Sequence, residues 1–86
     1  MITKRTFYLY ATAKCPYCFK AKALLTKKKH KFITMELDWE HETLRRLKEE
    51  MDWPTVPMIF EIEGRDHKFV GGYDDLVTYL KGKENE

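Results

Sequence analysis

The chain has 86 residues, 43% hydrophobic and 35% charged, which is enough for one domain with a single core and too little for two. A net charge of +2, no nucleic-acid recognition motif and no apolar stretch near 18 residues speak against a nucleic-acid binder and a membrane span, so neither partner is expected. The opening Met-Ile-Thr-Lys-Arg-Thr-Phe lacks the apolar h-region of a secretory signal. The expected location is therefore the cytoplasm, where a lone cysteine pair is more often catalytic than structural.

Thr6 to Tyr10 is a short, continuously apolar and aromatic run, the pattern of a central strand buried on both faces. Ala11 to Lys14 forms a loop into Cys15-Pro16-Tyr17-Cys18, which holds both cysteines of the chain. From Pro16 to about Lys29 a helix is expected, with Tyr17, Cys18, Ala21, Leu24 and Leu25 on its apolar stripe and lysines outside it. Lys31 to Leu37 reads as a second strand, and the strand–helix–strand unit implies a right-handed crossover between parallel neighbours. Asp38 to Glu40 leads into a second helix over His41 to Met51, with Leu44, Leu47 and Met51 at helical spacing.

Trp53-Pro54-Thr55-Val56-Pro57 must be a loop, because two prolines so close exclude a helix or a central strand. Met58 to Glu63 and His67 to Val70 read as a hairpin turned at Gly64, Arg65 and Asp66. Gly71-Gly72 ends that pattern, and Tyr73-Asp74-Asp75 opens a last helix carrying Leu76, Val77, Tyr79 and Leu80. Lys81 to Glu86 is a polar tail expected to fray. The whole is an α/β domain over residues 1–86, one four-stranded mixed sheet with helices on both faces.

Charge is unevenly distributed. Residues 1–35 hold eight lysines, one arginine and no acid, whereas all fourteen acids follow from Glu36 onward. A field of that sign near the cysteines stabilises a thiolate and attracts anionic substrates. Pro16 suits the first helical position, which places Cys15 at the helix start, where free N–H groups and the helix dipole favour its thiolate. Cys18 lies one turn later, within reach of a bond to Cys15. A dithiol redox site fits this arrangement. A structural disulfide, half of a metal site and two unrelated core thiols are the alternatives.

Cys15-Pro16-Tyr17-Cys18, Thr55-Val56-Pro57 and Gly71-Gly72-Tyr73-Asp74-Asp75-Leu76, in this order and spacing, resemble the dithiol glutaredoxins over almost the whole chain. The resemblance implies a thioredoxin-like fold, β-α-β-α-β-β-α, with strand order 2-1-3-4 and three flanking helices. It implies glutathione as co-substrate, and reduction of protein disulfides and glutathione mixed disulfides by a monomer that also has ribonucleotide reductase among its candidate partners. Cys15 would be the nucleophile and Cys18 the resolving thiol of the protein-disulfide route. Tyr17 would flank the bound tripeptide. Thr55 and Val56, with a cis Pro57, would pair with the backbone of its cysteine. Gly72, Tyr73 and Asp74 would receive its γ-glutamyl end, with Asp75 as the helix cap.

The glycine-end carboxylate needs a cation, for which Lys14 and either Arg45 or Arg46 are the candidates. The sequence departs from the family here. Thr12 stands where many members carry a lysine, and Trp53-Pro54 replaces the usual basic residue before Thr-Val-Pro. No metal is expected: zinc wants four ligands, and His30, His41 and His67 show no paired ligand spacing. A glutathione-ligated iron–sulfur cluster goes with a Cys-Gly-Phe-Ser type of turn, which Pro16 disfavours. A redoxin fed by thioredoxin reductase is the remaining rival, and the complete Thr-Val-Pro and Gly-Gly-Tyr-Asp-Asp segments favour glutathione over it.

Overall fold

The structure, a computed structural model, describes residues 5–84, with Glu84 described by its backbone only. Its elements run β1 (Thr6–Ala11), α1 (Pro16–Lys27), β2 (Lys31–Glu36), α2 (His41–Glu50), β3 (Met58–Glu63), β4 (Asp66–Gly71) and α3 (Tyr73–Glu84). They form one four-stranded sheet of order β2-β1-β3-β4. β1 is parallel to β2, with Phe7 opposite Phe32, and antiparallel to β3, with Leu9 opposite Ile59. β4 returns antiparallel to β3, and a bulge between Ile59 and Phe60 pairs them with Gly71 and Phe69. The fold is thioredoxin-like, and the sheet order and element sequence are those expected.

Helix ends explain the small shifts in boundary. α1 stops at Lys27 rather than Lys29 because Lys29 takes a left-handed φ of 61°. The His30 N–H then reaches back to the Leu25 carbonyl at 3.0 Å, closing the helix and turning the chain into β2. α3 continues through Lys81 to Glu84, where the sequence suggests a fraying tail; Asn85 and Glu86 lie outside the described residues.

β1 is central in the sheet, but its two faces differ. Phe7, Leu9 and Ala11 are sealed, together with Ile59, under Cys18, Ala21 and Leu25 of α1 and Leu76 and Leu80 of α3. Each of the larger side chains among them, Phe7, Leu9, Leu25, Ile59, Leu76 and Leu80, contributes about 1.5–3 kcal/mol relative to exposure. Tyr8 and Tyr10 on the opposite face stay only half-buried, so β1 alternates instead of being sealed on both sides. That face is roofed largely by its own aromatic side chains. Tyr8 stacks on Phe60 with centroids 4.8 Å apart, and Trp53, just beyond α2, closes edge-on against Phe69 at 5.4 Å. Leu44, Leu47 and Met51 make α2 amphipathic as read, yet α2 has no fully buried residue. No described helix is long and apolar enough to cross a membrane.

One charge lies inside the core layer. Glu61, in the middle of β3, is 1% exposed. Arg5 donates to its Oε2 at 2.7 Å and the Tyr79 hydroxyl donates to its Oε1, so one carboxylate ties the segment before β1 to β3 and α3. Burial pushes the Glu61 carboxyl up, but the Tyr79 and Arg5 hydrogen bonds outweigh it and hold the group below the usual carboxylate range. The same pairing, with burial as the larger cause, pushes the Tyr79 hydroxyl well above that of a free tyrosine.

Because the folded pKa is depressed, the stabilisation is complete above the unfolded carboxyl pKa of about 4.3 and is lost as pH falls through the folded value. Glu61→Gln is therefore expected to lower unfolding free energy at pH 7 by about 2 kcal/mol, and by less at pH 3, in urea titrations. Equal losses at both pH values would show that the charge of Glu61 contributes nothing.

Candidate active site

The loop after β1 delivers the two cysteines to the start of α1. Cys15 is the N-cap residue, with extended φ and ψ of −131° and 99°, and Pro16 takes the first helical position, where no N–H is needed. The Cys15 carbonyl accepts from the N–H groups of Cys18 and Phe19 at 3.1 and 3.2 Å. The Cys18 N–H also meets Cys15 Sγ at 3.1 Å. Cys15 and Cys18 are joined as a disulfide, with Cα atoms 5.2 Å apart. Once that bond is reduced, the same N–H and the open turn of the helix favour a thiolate at Cys15. Exposure separates the two sulfurs' owners: Cys15 retains 7% and Cys18 1%. An incoming disulfide meets Cys15 first, and Cys18 approaches it only from beneath.

Two aspartates hold the backbone around this turn. Asp38, just after β2, accepts the Ala13 N–H with both carboxylate oxygens, at 2.9 and 3.1 Å. The Leu37 N–H also donates to the Ala11 carbonyl at 2.9 Å, so the end of β2 braces the loop that carries Lys14 and Cys15. Asp38 was invisible as a site residue in the sequence, although the parallel pairing of Ala11 with Glu36 puts it level with Ala13. Asp75 plays a comparable part at α3, accepting the Gly72 N–H at 3.0 Å while the Gly72 carbonyl takes the Leu76 N–H. Gly71 is what allows this: its φ is +122°, and a Cβ there would lie 2.6 Å from Asp75 Oδ2.

Beside the cysteines runs a groove of about 360 Å³ lined by Tyr17, Trp53, Thr55, Val56, Pro57, Gly72, Tyr73, Asp74 and Asp75. The Val56–Pro57 peptide is cis, and the Val56 carbonyl lies 3.7 Å from Cys15 Sγ, so the groove begins at the reactive sulfur. Tyr17 leaves the apolar stripe of α1 and stands 54% exposed, its ring 6.2 Å from that of Tyr73. The three segments singled out in the sequence thus meet at one place.

The proposed cations do not join them. Arg45 is held on α2 by Glu42 and by Glu49 at 2.7 Å, and those hydrogen bonds raise its pKa further. Arg46 lies 3.7 Å from Glu42 on the same helix. Neither of them, nor Lys14, lines the groove. Trp53 lines the groove beside Gly72 and a neighbouring hollow with Arg45 and Lys48, its buried Nε1 without a hydrogen-bond partner among the described residues. Among those residues no three of His, Cys, Asp and Glu cluster as metal ligands.

A helix-capping cysteine bonded to a second one a turn later, on a thioredoxin-like sheet and facing a groove, defines a dithiol–disulfide oxidoreductase. Residues 7–67 match the model of the glutaredoxin family. Glutaredoxin 1 of Rickettsia prowazekii is 41% identical over 78 residues, covering 88% of this chain and 78% of the relative. Among solved structures, glutaredoxin 1 of Francisella tularensis complexed with cacodylate superposes with a TM-score of 0.77 at 23% identity, covering 95% of this chain and 99% of that one. A buckwheat glutaredoxin–glutathione complex superposes at 0.75 with 28% identity, covering 92% of this chain and 72% of that one. The chain belongs to the glutaredoxin family, and it is a thiol–disulfide oxidoreductase with Cys15 and Cys18 as its redox pair.

Gly71→Ala is expected to cost about 2 kcal/mol, because an L side chain is strained at this φ and displaces Asp75 from the Gly72 N–H. Asp75→Ala loses the cap alone and is expected to cost about 1 kcal/mol. Chemical denaturation measures both, and an unchanged midpoint for Gly71→Ala would mean that the start of α3 relaxes freely.

Proposed function

We propose that this protein uses glutathione as its electron source and reduces both protein disulfides and glutathione mixed disulfides. The groove that opens at Cys15 Sγ is the observation that carries this reading. Glutathione is an extended tripeptide with a carboxylate and an ammonium at its γ-glutamyl end. Val56, 3.7 Å from the sulfur through its carbonyl, offers backbone beside the tripeptide's cysteine. Tyr73 and Asp74, at the start of α3 beside Gly72, offer N–H groups to the carboxylate, and the Asp74 side chain offers an acid to the ammonium. Tyr17 covers the middle, and Asp75 is already engaged as the cap. Trp53, with its ring against Gly72, walls the γ-glutamyl side of the groove, and the glycine carboxylate is left to a cation outside the groove lining, with Lys14, Arg45 and Arg46 as the candidates.

The chemistry follows from the unequal burial of the two sulfurs. With a glutathione mixed disulfide, the Cys15 thiolate attacks the glutathione sulfur. The new bond joins Cys15 to glutathione, and the target leaves as a thiolate with the electron pair. A second glutathione thiolate then attacks that adduct, forming glutathione disulfide and restoring Cys15. With a protein disulfide, Cys15 forms a mixed disulfide with the protein, and Cys18 attacks Cys15 to release the reduced protein and give the Cys15–Cys18 bond seen here. Two glutathiones reduce it again. A cytoplasmic monomer passing electrons to targets such as ribonucleotide reductase fits the same scheme.

Cys15→Ser is expected to abolish both activities. Cys18→Ser should keep deglutathionylation and lose the dithiol reduction of protein disulfides, measured with glutathione, glutathione reductase and NADPH. Turnover that appears only with thioredoxin reductase would refute the glutathione reading.

A further inference from the structure

A target disulfide carried on a polypeptide presents more than its sulfurs to the enzyme, and the groove lies on only one side of Cys15. On α1, Tyr17 and Phe19 are two residues apart, hence about 160° apart round the helix. Tyr17 borders the groove, so Phe19 faces away from it. Phe19 is four residues from Cys15 and Lys22 seven, so they form one line running down the helix from the reactive cysteine. Phe19 is 59% exposed, an unusual position for a phenylalanine, and Lys22 Nζ sits 4.7 Å from its ring centroid. Lys14 flanks the other side of Cys15, α1 has no acid in its first turn, and none occurs before Glu36.

We propose that this strip, from Cys15 over Phe19 to Lys22, is the docking surface for the polypeptide that bears the target disulfide, and that it selects acidic segments. The inference deepens the proposed dithiol reaction at the same site and rests on it. A lysine-flanked apolar ring contiguous with the reactive sulfur fits a chain that places an apolar residue on Phe19 and a carboxylate at Lys22. The spacing is set by geometry. Along the helix Phe19 lies about 6 Å and Lys22 about 10 Å beyond Cys15. An extended peptide covers those distances in roughly two and three residues, so the apolar residue and the acid belong about that far from the target cysteine.

Thiol–disulfide exchange with synthetic peptides tests this without glutathione. Each peptide carries its cysteine as a disulfide with thionitrobenzoate, and has either aspartate or lysine three positions away. The reduced protein attacks this disulfide through the Cys15 thiolate. Attack on the peptide sulfur forms a Cys15–peptide disulfide and expels thionitrobenzoate with the electron pair, which is followed by absorbance; Cys18 then attacks Cys15, forming the Cys15–Cys18 bond and releasing the peptide thiol.

The aspartate peptide is expected to react about tenfold faster than the lysine peptide at low salt, with the ratio approaching one at high salt. Lys22→Glu should reduce that ratio at least about threefold, and Phe19→Ser should slow both peptides. Both variants should keep the rate with bis(2-hydroxyethyl) disulfide within about twofold, which also shows that they fold. A peptide ratio unchanged by Lys22→Glu would overturn the proposal. So would equal peptide rates accompanied by Lys22-dependent binding to phosphatidylserine vesicles, which would assign the strip to a membrane surface. Failure to turn over glutathione mixed disulfides would instead count against the proposed function, and the exchange rates would still decide the docking surface.

Discussion

The site depends on one overlap: the residue that caps α1 is also the nucleophile. The Cys18 N–H, which any helix must satisfy at its first turn, meets both the carbonyl and the sulfur of Cys15. Local folding and sulfur chemistry therefore use the same hydrogen bond. A helix cannot start here without placing its positive end against Cys15, and Cys15 cannot leave that environment without uncapping the helix. Pro16 makes the arrangement economical, since it supplies a helical φ at a position where an N–H would go unpaired.

Around that overlap the fold places polar braces instead of extra apolar packing. Asp38 holds the loop before Cys15 through the Ala13 N–H, and Asp75 holds the start of α3 through the Gly72 N–H. Both act on backbone at the C-terminal edge of the parallel pair or at a helix start, where the core cannot reach. Glu61 does a related job on the α1/α3 side of the sheet, linking Arg5, β3 and α3 beneath the apolar layer. The core built on Phe7, Leu9 and Ile59 supplies most of the stability, and these carboxylates decide how its edges are aligned.

The two sides of Cys15 are chemically unlike. One opens into a groove of aromatic rings, backbone and acid, ending at Trp53. The other continues along α1 as an exposed aromatic ring under a lysine. A small peptide thiol and a protein disulfide make different demands on one sulfur: the first needs enclosure and backbone pairing, the second needs an open surface. The 3.6-residue period of α1 sends Tyr17 and Phe19 to opposite sides, so the two surfaces proposed for these demands do not overlap.

Much of the fold was legible in the sequence. The parallel β1–α1–β2 unit, the hairpin and the strand order came through because apolar runs, turn residues and a known family pattern agreed. Cys15 as a helix cap was likewise local, readable from Pro16 and the residues that follow. The half-open second face of β1 was not, since burial depends on what packs from elsewhere: no residue of α2 is fully buried, and the aromatic rings cover themselves. Nor was the buried role of Glu61, whose partners lie 56 residues before it and 18 after it in the chain. The exclusion of Arg45 and Arg46 from the groove depended on their carboxylate partners along α2, and the presence of Trp53 on where the loop after α2 brought its ring. By itself the sequence determined what is set within a turn or two of chain: the redox pair, its helix start and the succession of elements. Only the tertiary structure decided which groups face the sulfur, because contacts made across the sheet depend on register and packing that no local pattern encodes.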